Sequence, residues 1–175
     1  MYLMIIKVVD YNQNWKNEYQ KEEHAIKEIL QDELVNSFHI GSTSVPNLKA
    51  KPIIDILLVV NDISELDAYS TQFESLGYEV MGEFGIKGRR YFRKGGDNRT
   101  HQIHAFQYDN IKEIERHLSF RDYLRQSPEI SKEYGELKSK LANKYPTDIE
   151  GYGDGKDDFV KKIEKEALKW QWTNR

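Results

Sequence analysis

Phe38-His-Ile-Gly-Ser-Thr-Ser-Val-Pro-Asn-Leu-Lys-Ala-Lys51-Pro-Ile-Ile-Asp55-Ile-Leu-Leu-Val-Val60 contains one ionisable carboxylate inside a run that is otherwise apolar. Ile53 to Val60, bounded by Pro52 and by Asn61-Asp62, has the length and composition of a strand covered on both faces. A charged carboxylate buried there is costly unless a cation or several donors meet it. Upstream, Gly41 permits a ligand to approach the backbone, and Ser42, Thr43 and Ser44 supply hydroxyls and amides of the kind that cradle phosphates. Alone, Gly41-Ser42 would be a weak signal; Asp55 downstream gives it weight.

Composition narrows the classes. The chain has 175 residues, no cysteine, 26 basic against 29 acidic residues and a net charge of −3. Disulfides, thiolate metal sites and a cysteine nucleophile are excluded. The charge offers no general attraction to nucleic acid or to an anionic membrane, so any polyanion site must be local. Met1 to Val9 is apolar but lacks the basic lead and small-residue cleavage site of a signal peptide, and nothing reaches the ~20 apolar residues of a membrane span. A cytoplasmic protein is expected. One domain over 1–175 is expected too, with a sheet-containing core over 1–108 and a helical part over 109–175 and no internal repeat.

Periodicity predicts a strand near Met4 to Val9 and a helix from about Asn14 to Leu34 with Trp15, Tyr19, Ile26 and Leu30 on one face. After the two motif strands, Ser64-Glu-Leu-Asp67 reads as a capping box opening a helix with Leu66, Tyr69, Phe73 and Leu76 inward, stopped by Gly77. Strands follow at Tyr78 to Phe84, Arg89 to Lys94 and Arg99 to Gln107, joined by glycine-containing turns that suit antiparallel hairpins. Three helices then follow from Ile111, the second opened by Ser127-Pro128, with Gly151-Tyr-Gly-Asp-Gly155 as a flexible loop before the third. The fold expected is α+β, with a mixed, mostly antiparallel sheet, flanking helices and a helical C-terminal part.

A Gly-Ser pair after one strand and an Asp in the next, twelve residues intervening, resembles the polymerase-beta-like nucleotidyltransferase superfamily. There the Asp binds a divalent cation at the nucleotide phosphates, and a second carboxylate sits two residues on, where this chain has Leu57. His39-Ile-Gly-Ser-Thr-Ser-Val-Pro, Lys51-Pro-Ile-Ile-Asp55-Ile-Leu, His101-x-x-His104, Phe120-Arg-Asp-Tyr-Leu-Arg125, Tyr134-x-x-Leu-Lys138 and Tyr152-x-x-x-Lys156-x-x-Phe159 together resemble the GrpB family. With Trp15 on the first helix, the resemblance covers nearly the whole chain. It implies a nucleotidyltransferase-like fold, one sometimes fused behind bacterial dephospho-coenzyme A kinases.

Strand alternation puts His104 on the face opposite His101, so only one can face Asp55. His104 is the choice, in the place of the superfamily's third carboxylate. With His39 it would give Asp55 a divalent metal site for magnesium, manganese or zinc, the imidazoles favouring zinc, manganese or iron over magnesium. The plainer alternative is that these histidines fill half-buried strand positions; His24 and His117 are expected on helix surfaces. Lys51, Arg89 or Arg90 and Arg93, with Arg121, Lys138 and Lys156, are the cations that could converge on phosphates, although singly such residues are more often solvated. Asp122 is expected to pair internally. Tyr123, Tyr134 and Tyr152 suit either base stacking or the core.

Three functions compete. The first is metal-dependent nucleotidyl or phosphoryl transfer, with Asp55 and His104 catalytic, and Gly41, Ser42, Thr43, Lys51, Arg90, Arg121 and Lys156 binding the nucleotide. The second is a binding domain for a nucleotide, a coenzyme A-type ligand or a partner, which has lost its catalytic carboxylates. The third is a metal-assisted hydrolase, for which no nucleophile with an adjacent base is visible.

Overall fold

The computed structural model describes residues 5–175. Ile54–Val60 forms strand β2, the most apolar of five, with every side chain but Asp55 buried. Burial on both faces follows from position: β2 lies between Leu34–Ile40 (β1), which pairs antiparallel, and His101–Gln107 (β5), which pairs parallel. Arg89–Lys94 (β4) and Tyr78–Val80 (β3) complete the sheet in the order β1-β2-β5-β4-β3. A parallel pair needs a long crossover. Here it runs through a 3-10 segment, the short helix Ser70–Ser75 and the β3–β4 pair. The sheet is mixed and mostly antiparallel, and Gly41-Ser42 directly follows β1 while Asp55 stands on the neighbouring strand. This is the mixed sheet with flanking helices, and the placement of Gly41-Ser42 beside Asp55, expected from the sequence.

Each face of the sheet has its own cover. Helix α1 (Asn14–Leu30) presents Trp15, Tyr19, Ile26 and Leu30, at helical spacing, to Ile54, Ile56, Leu58 and Ile103. On the other face Leu57, Val59 and Phe106 pack with Ile40 and with Ile114 and Leu118. The latter two lie on Ile111–Gln126, which with Pro128–Lys144 and Ile149–Thr173 makes the helical part. In chain order these are α3, α4 and α5, the Ser70–Ser75 helix being α2. Among the described residues no helix is long and apolar enough to cross a membrane.

Several boundaries differ from expectation, each for a local reason. The strand expected over Met4 to Val9 is reduced to a single bridge, Val9 to Ala50; Met4 lies outside the described residues. Helix α1 ends at Leu30, because Gln31 takes φ 50° and a 3-10 turn leads straight into β1. Asp62, not Ser64, caps the next segment, accepting from the Ser64 amide at 3.0 Å, and that segment stays 3-10 until Tyr69. The strand expected to reach Phe84 stops at Val80, and β5 begins at His101 rather than Arg99. The expected loop Gly151 to Gly155 is the first turns of α5, capped by Asp148. A Cβ at Gly155 would meet the Leu141 side chain, so this glycine serves helix contact rather than flexibility.

One polar knot ties α1 to the sheet. The buried Glu22 carboxylate accepts from Lys94 Nζ at 2.6 Å and from the Tyr78 hydroxyl at 2.7 Å, with His101 Nε2 at 3.9 Å. Burial works to raise its pKa, and the Lys94 and Tyr78 hydrogen bonds outweigh it, holding the carboxyl below its ordinary value. Glu22→Leu should destabilise the fold by about 2–4 kcal/mol in urea denaturation, because Lys94 and Tyr78 lose their partner. The double variant with Lys94→Met should recover much of that loss; equal losses in both variants would mean the ion pair is not what ties the helix.

Candidate functional site

Asp55 is the first ionisable group of the site because of how closely Gly41 approaches it. Gly41 has φ 72°, and a Cβ there would lie 2.6 Å from Asp55 Oδ2. Any other residue would be strained and would displace the carboxylate. The turn that follows is closed by Ser44 N to Gly41 O and Val45 N to Ser42 O. The Ser42 and Thr43 amides precede that ladder and take no part in it.

Register decides which neighbours reach Asp55. His104, two residues beyond Gln102, which stands opposite Asp55, places Nε2 at 3.2 Å from Asp55 Oδ1. Its Nδ1 lies 3.2 Å from Arg89 Nη1, whose guanidinium is held by the Glu83 and Phe84 carbonyls. A guanidinium can only donate, so Nδ1 accepts and Nε2 carries the proton that it donates to Asp55. His104 therefore orients Asp55 through its Nε2–H, and that nitrogen is not free to ligate a metal.

Helices α4 and α5 bring Lys138 and Lys156 to the same place, where they join Lys51 from the segment before β2. Asp55, Ser42, Thr43, Gln102, Lys51, Lys138, Tyr152 and Lys156 line a cavity of about 120 Å³. Lys138 is 2% exposed, and its Nζ is buried without a hydrogen-bond partner. It stands 4.4 Å from the Tyr134 ring centre, while Lys51 and Lys156 stand 5.0 and 5.1 Å from the Tyr152 ring. The Tyr152 hydroxyl is likewise buried and unpartnered. Burial, then Lys156 and Lys51 beside it, push the Lys138 ammonium down to about 6 against the pull of Asp55. Burial and Lys51 bring Lys156 to about 8, and burial also lowers Lys51. Burial carries the Tyr134 hydroxyl up to about 12, eased by the Ser42 hydroxyl beside it.

Other expected site residues lie elsewhere. His39 stands opposite Ile56 in the register and so shares the α1 face, across the sheet from Asp55. It stacks on Tyr19 at 4.9 Å, its Nε2 lies 3.0 Å from Thr43 Oγ1, and burial takes it to about 4. The same alternation that separates His101 from His104 could have placed it, since Ile40 is the β1 residue opposite Asp55. Arg121 donates to the His39 carbonyl and pairs with Asp122 in a recess that shares only Thr43 with the lysine cavity. Arg90 faces away and pairs with Asp67 at 2.8 Å; its neighbour Arg89 is the one that serves the site. His117 is not a surface residue: its ring lies 5.5 Å from His104, its Nδ1 donates to the Glu113 carbonyl, and burial takes it to about 4.

These donors do not fit the expected divalent cation. Leu57, fully buried, occupies the position of a second carboxylate, His39 is on the wrong face, and His104 Nε2 is protonated toward Asp55. Among the described residues no three His, Cys, Asp or Glu side chains gather as a metal site. Three lysines around one carboxylate suit an anion instead, which would hold them protonated.

Residues 5–166 match the family model described as GrpB protein. The crystal structure of conserved protein GrpB from Enterococcus faecalis superposes with a TM-score of 0.93 at 52% identity, covering 95% of this chain and 99% of that one. UPF0157 protein YqkA of Bacillus subtilis (strain 168) is 44% identical over 95% of this chain, which spans 48% of that relative's length. Glutamate-rich protein GrpB of Alkalihalophilus pseudofirmus is 35% identical over 89% of this chain and 92% of its own. By motif, by sequence and by fold, this chain belongs to the GrpB family.

Proposed function

We propose that the chain binds a phosphate-bearing small molecule, a nucleotide or a related compound, with a phosphate in the three-lysine cavity and no metal-assisted chemistry. The observation that carries this reading is Lys138 Nζ, buried beside two further lysines with no acceptor of its own. A group buried so expensively is retained against stability, which marks a functional position. A phosphate would supply what the cavity lacks: acceptors for Lys138, Lys51, Lys156 and the Tyr152 hydroxyl, with the Ser42 and Thr43 amides as further donors. Asp55, held by His104, opposes the lysines and keeps part of their charge offset when the cavity is empty. The nucleotidyltransferase-like fold supports the class of ligand, and Leu57 in place of a second carboxylate counts against transfer chemistry.

Inorganic phosphate should raise the thermal unfolding temperature of the pure protein. At a hundredfold excess over Kd the gain is about 2.7 kcal/mol, worth roughly 5–10 °C for a chain of this size. Lys138→Met should abolish the shift. An undiminished shift in that variant, or nucleotide turnover by the wild type that is lost in Asp55→Asn, would overturn the reading.

The unliganded protein carries a second signature. Lys138 titrates near 6 when folded, against 10.5 for an ordinary lysine. Between those values the unfolded chain binds the proton and the folded one does not, so stability rises with pH across that window. Below it both states are protonated and the full cost of burying the ammonium remains. Lys138→Met should therefore be more stable than wild type by a few kcal/mol near about pH 6, with a smaller margin near about pH 9. Urea denaturation at the two pH values measures the difference; an equal margin at both would contradict the account.

A further inference from the structure

The phosphate cavity does not end at Lys51. A second cavity of about 250 Å³ shares Lys51, Ile53 and Gln102 with it, so the two adjoin at the start of β2 and β5. Its walls are aliphatic, from Ile6, Pro52 and Ile149, and its edge is polar, from Asn98 and Arg99 of the β4–β5 turn. Two features show unmet contacts. Arg99 Nε is buried without a hydrogen-bond partner. Ile5 and Ile149 at the rim are 61% and 45% exposed, although they border a concave surface.

We infer that this cleft takes the organic part of a phosphate monoester whose phosphate sits among Lys51, Lys138 and Lys156. The inference rests on the phosphate reading and deepens it. The smaller cavity holds a group of phosphate size and little more, whereas sites for whole small molecules run to about 300 Å³ and above, with apolar walls and a few placed polar groups. The second cavity has that character. Aliphatic side chains offer flat, uncharged contact, and Arg99 Nε offers one donor to an acceptor on the organic part. Lys51 sits at the junction, where Asp55 draws its charge and Arg99 opposes it. Inorganic phosphate alone would leave the aliphatic walls and Arg99 uncovered.

The test compares inorganic phosphate, phenyl phosphate and adenosine 5′-monophosphate by isothermal calorimetry on the full chain. Both esters should bind the wild type at least about tenfold more tightly than inorganic phosphate, since covering apolar surface at 25 cal/mol per Å² readily supplies that factor. Arg99→Ala should lower the advantage of adenosine 5′-monophosphate. Ile149→Ser, at the exposed rim where folding is not at risk, should lower the advantage of both esters and leave inorganic phosphate as tightly bound as before. If phosphate binds and the esters bind no better, the cleft is not part of the site and the phosphate reading stands without it. Ester affinity that survives both substitutions overturns the inference as well. If neither phosphate nor ester binds, the phosphate reading falls and takes this one with it.

Discussion

Asp55 against Gly41 is the contact on which the rest of the site depends. A carboxylate within a strand otherwise closed to water tolerates only neighbours that leave it room and donate to it. Gly41 leaves the room, at a φ that glycine alone adopts without strain, and His104 donates from the adjacent parallel strand. Arg89 then fixes the histidine tautomer, so the chain from β4 through β5 to β2 reads as three polar groups with one permitted pattern of protons. The turn after Gly41 and the helical part both assemble around that corner.

Against this single carboxylate stand Lys138 and Lys156 of the helical part and Lys51 of the segment before β2, an arrangement that costs stability in the empty protein. Lys138 gains only the face of Tyr134, and its neighbours Lys51 and Lys156 add repulsion to the desolvation cost. Elsewhere the protein treats buried charge conventionally: Glu22 is met by Lys94 and Tyr78, and Arg89 by the Glu83 and Phe84 carbonyls. The contrast between these satisfied charges and the unpartnered Lys138 Nζ and Arg99 Nε is what singles out the lysine cavity and the cleft beside it.

Much of this was legible in the sequence, through periodicity. The apolar run of β2, the amphipathic stripe of α1 and the separation of His101 from His104 all follow from side-chain alternation, and all are found. The misassignments came where local signals compete with tertiary context. Gly151 to Gly155 carries loop composition, yet Asp148 caps a helix there and Leu141 needs the space at Gly155. His39 adjoins the Gly-Ser motif in sequence but points to the opposite face, and Arg90 rather than Arg89 is named if the β4 alternation is not extended to β5. Lys138 was identifiable as a cation on a helix; its burial was not, because the packing of α4 against α5 is set by contacts distant in sequence.

The most direct measurement is proton uptake on anion binding. Sulfate keeps its charge through the neutral range, so any proton exchanged when it binds belongs to the protein. Lys138, largely neutral above its pKa of about 6 in the empty cavity, must take up a proton to meet the anion. Calorimetric titration with sulfate near about pH 7.5, repeated in buffers of different ionisation enthalpy, should show uptake approaching one proton in the wild type and much less in Lys138→Met. Sulfate binding with no proton uptake, or uptake unchanged in the variant, would contradict the claim that the buried Lys138 is the anion's partner.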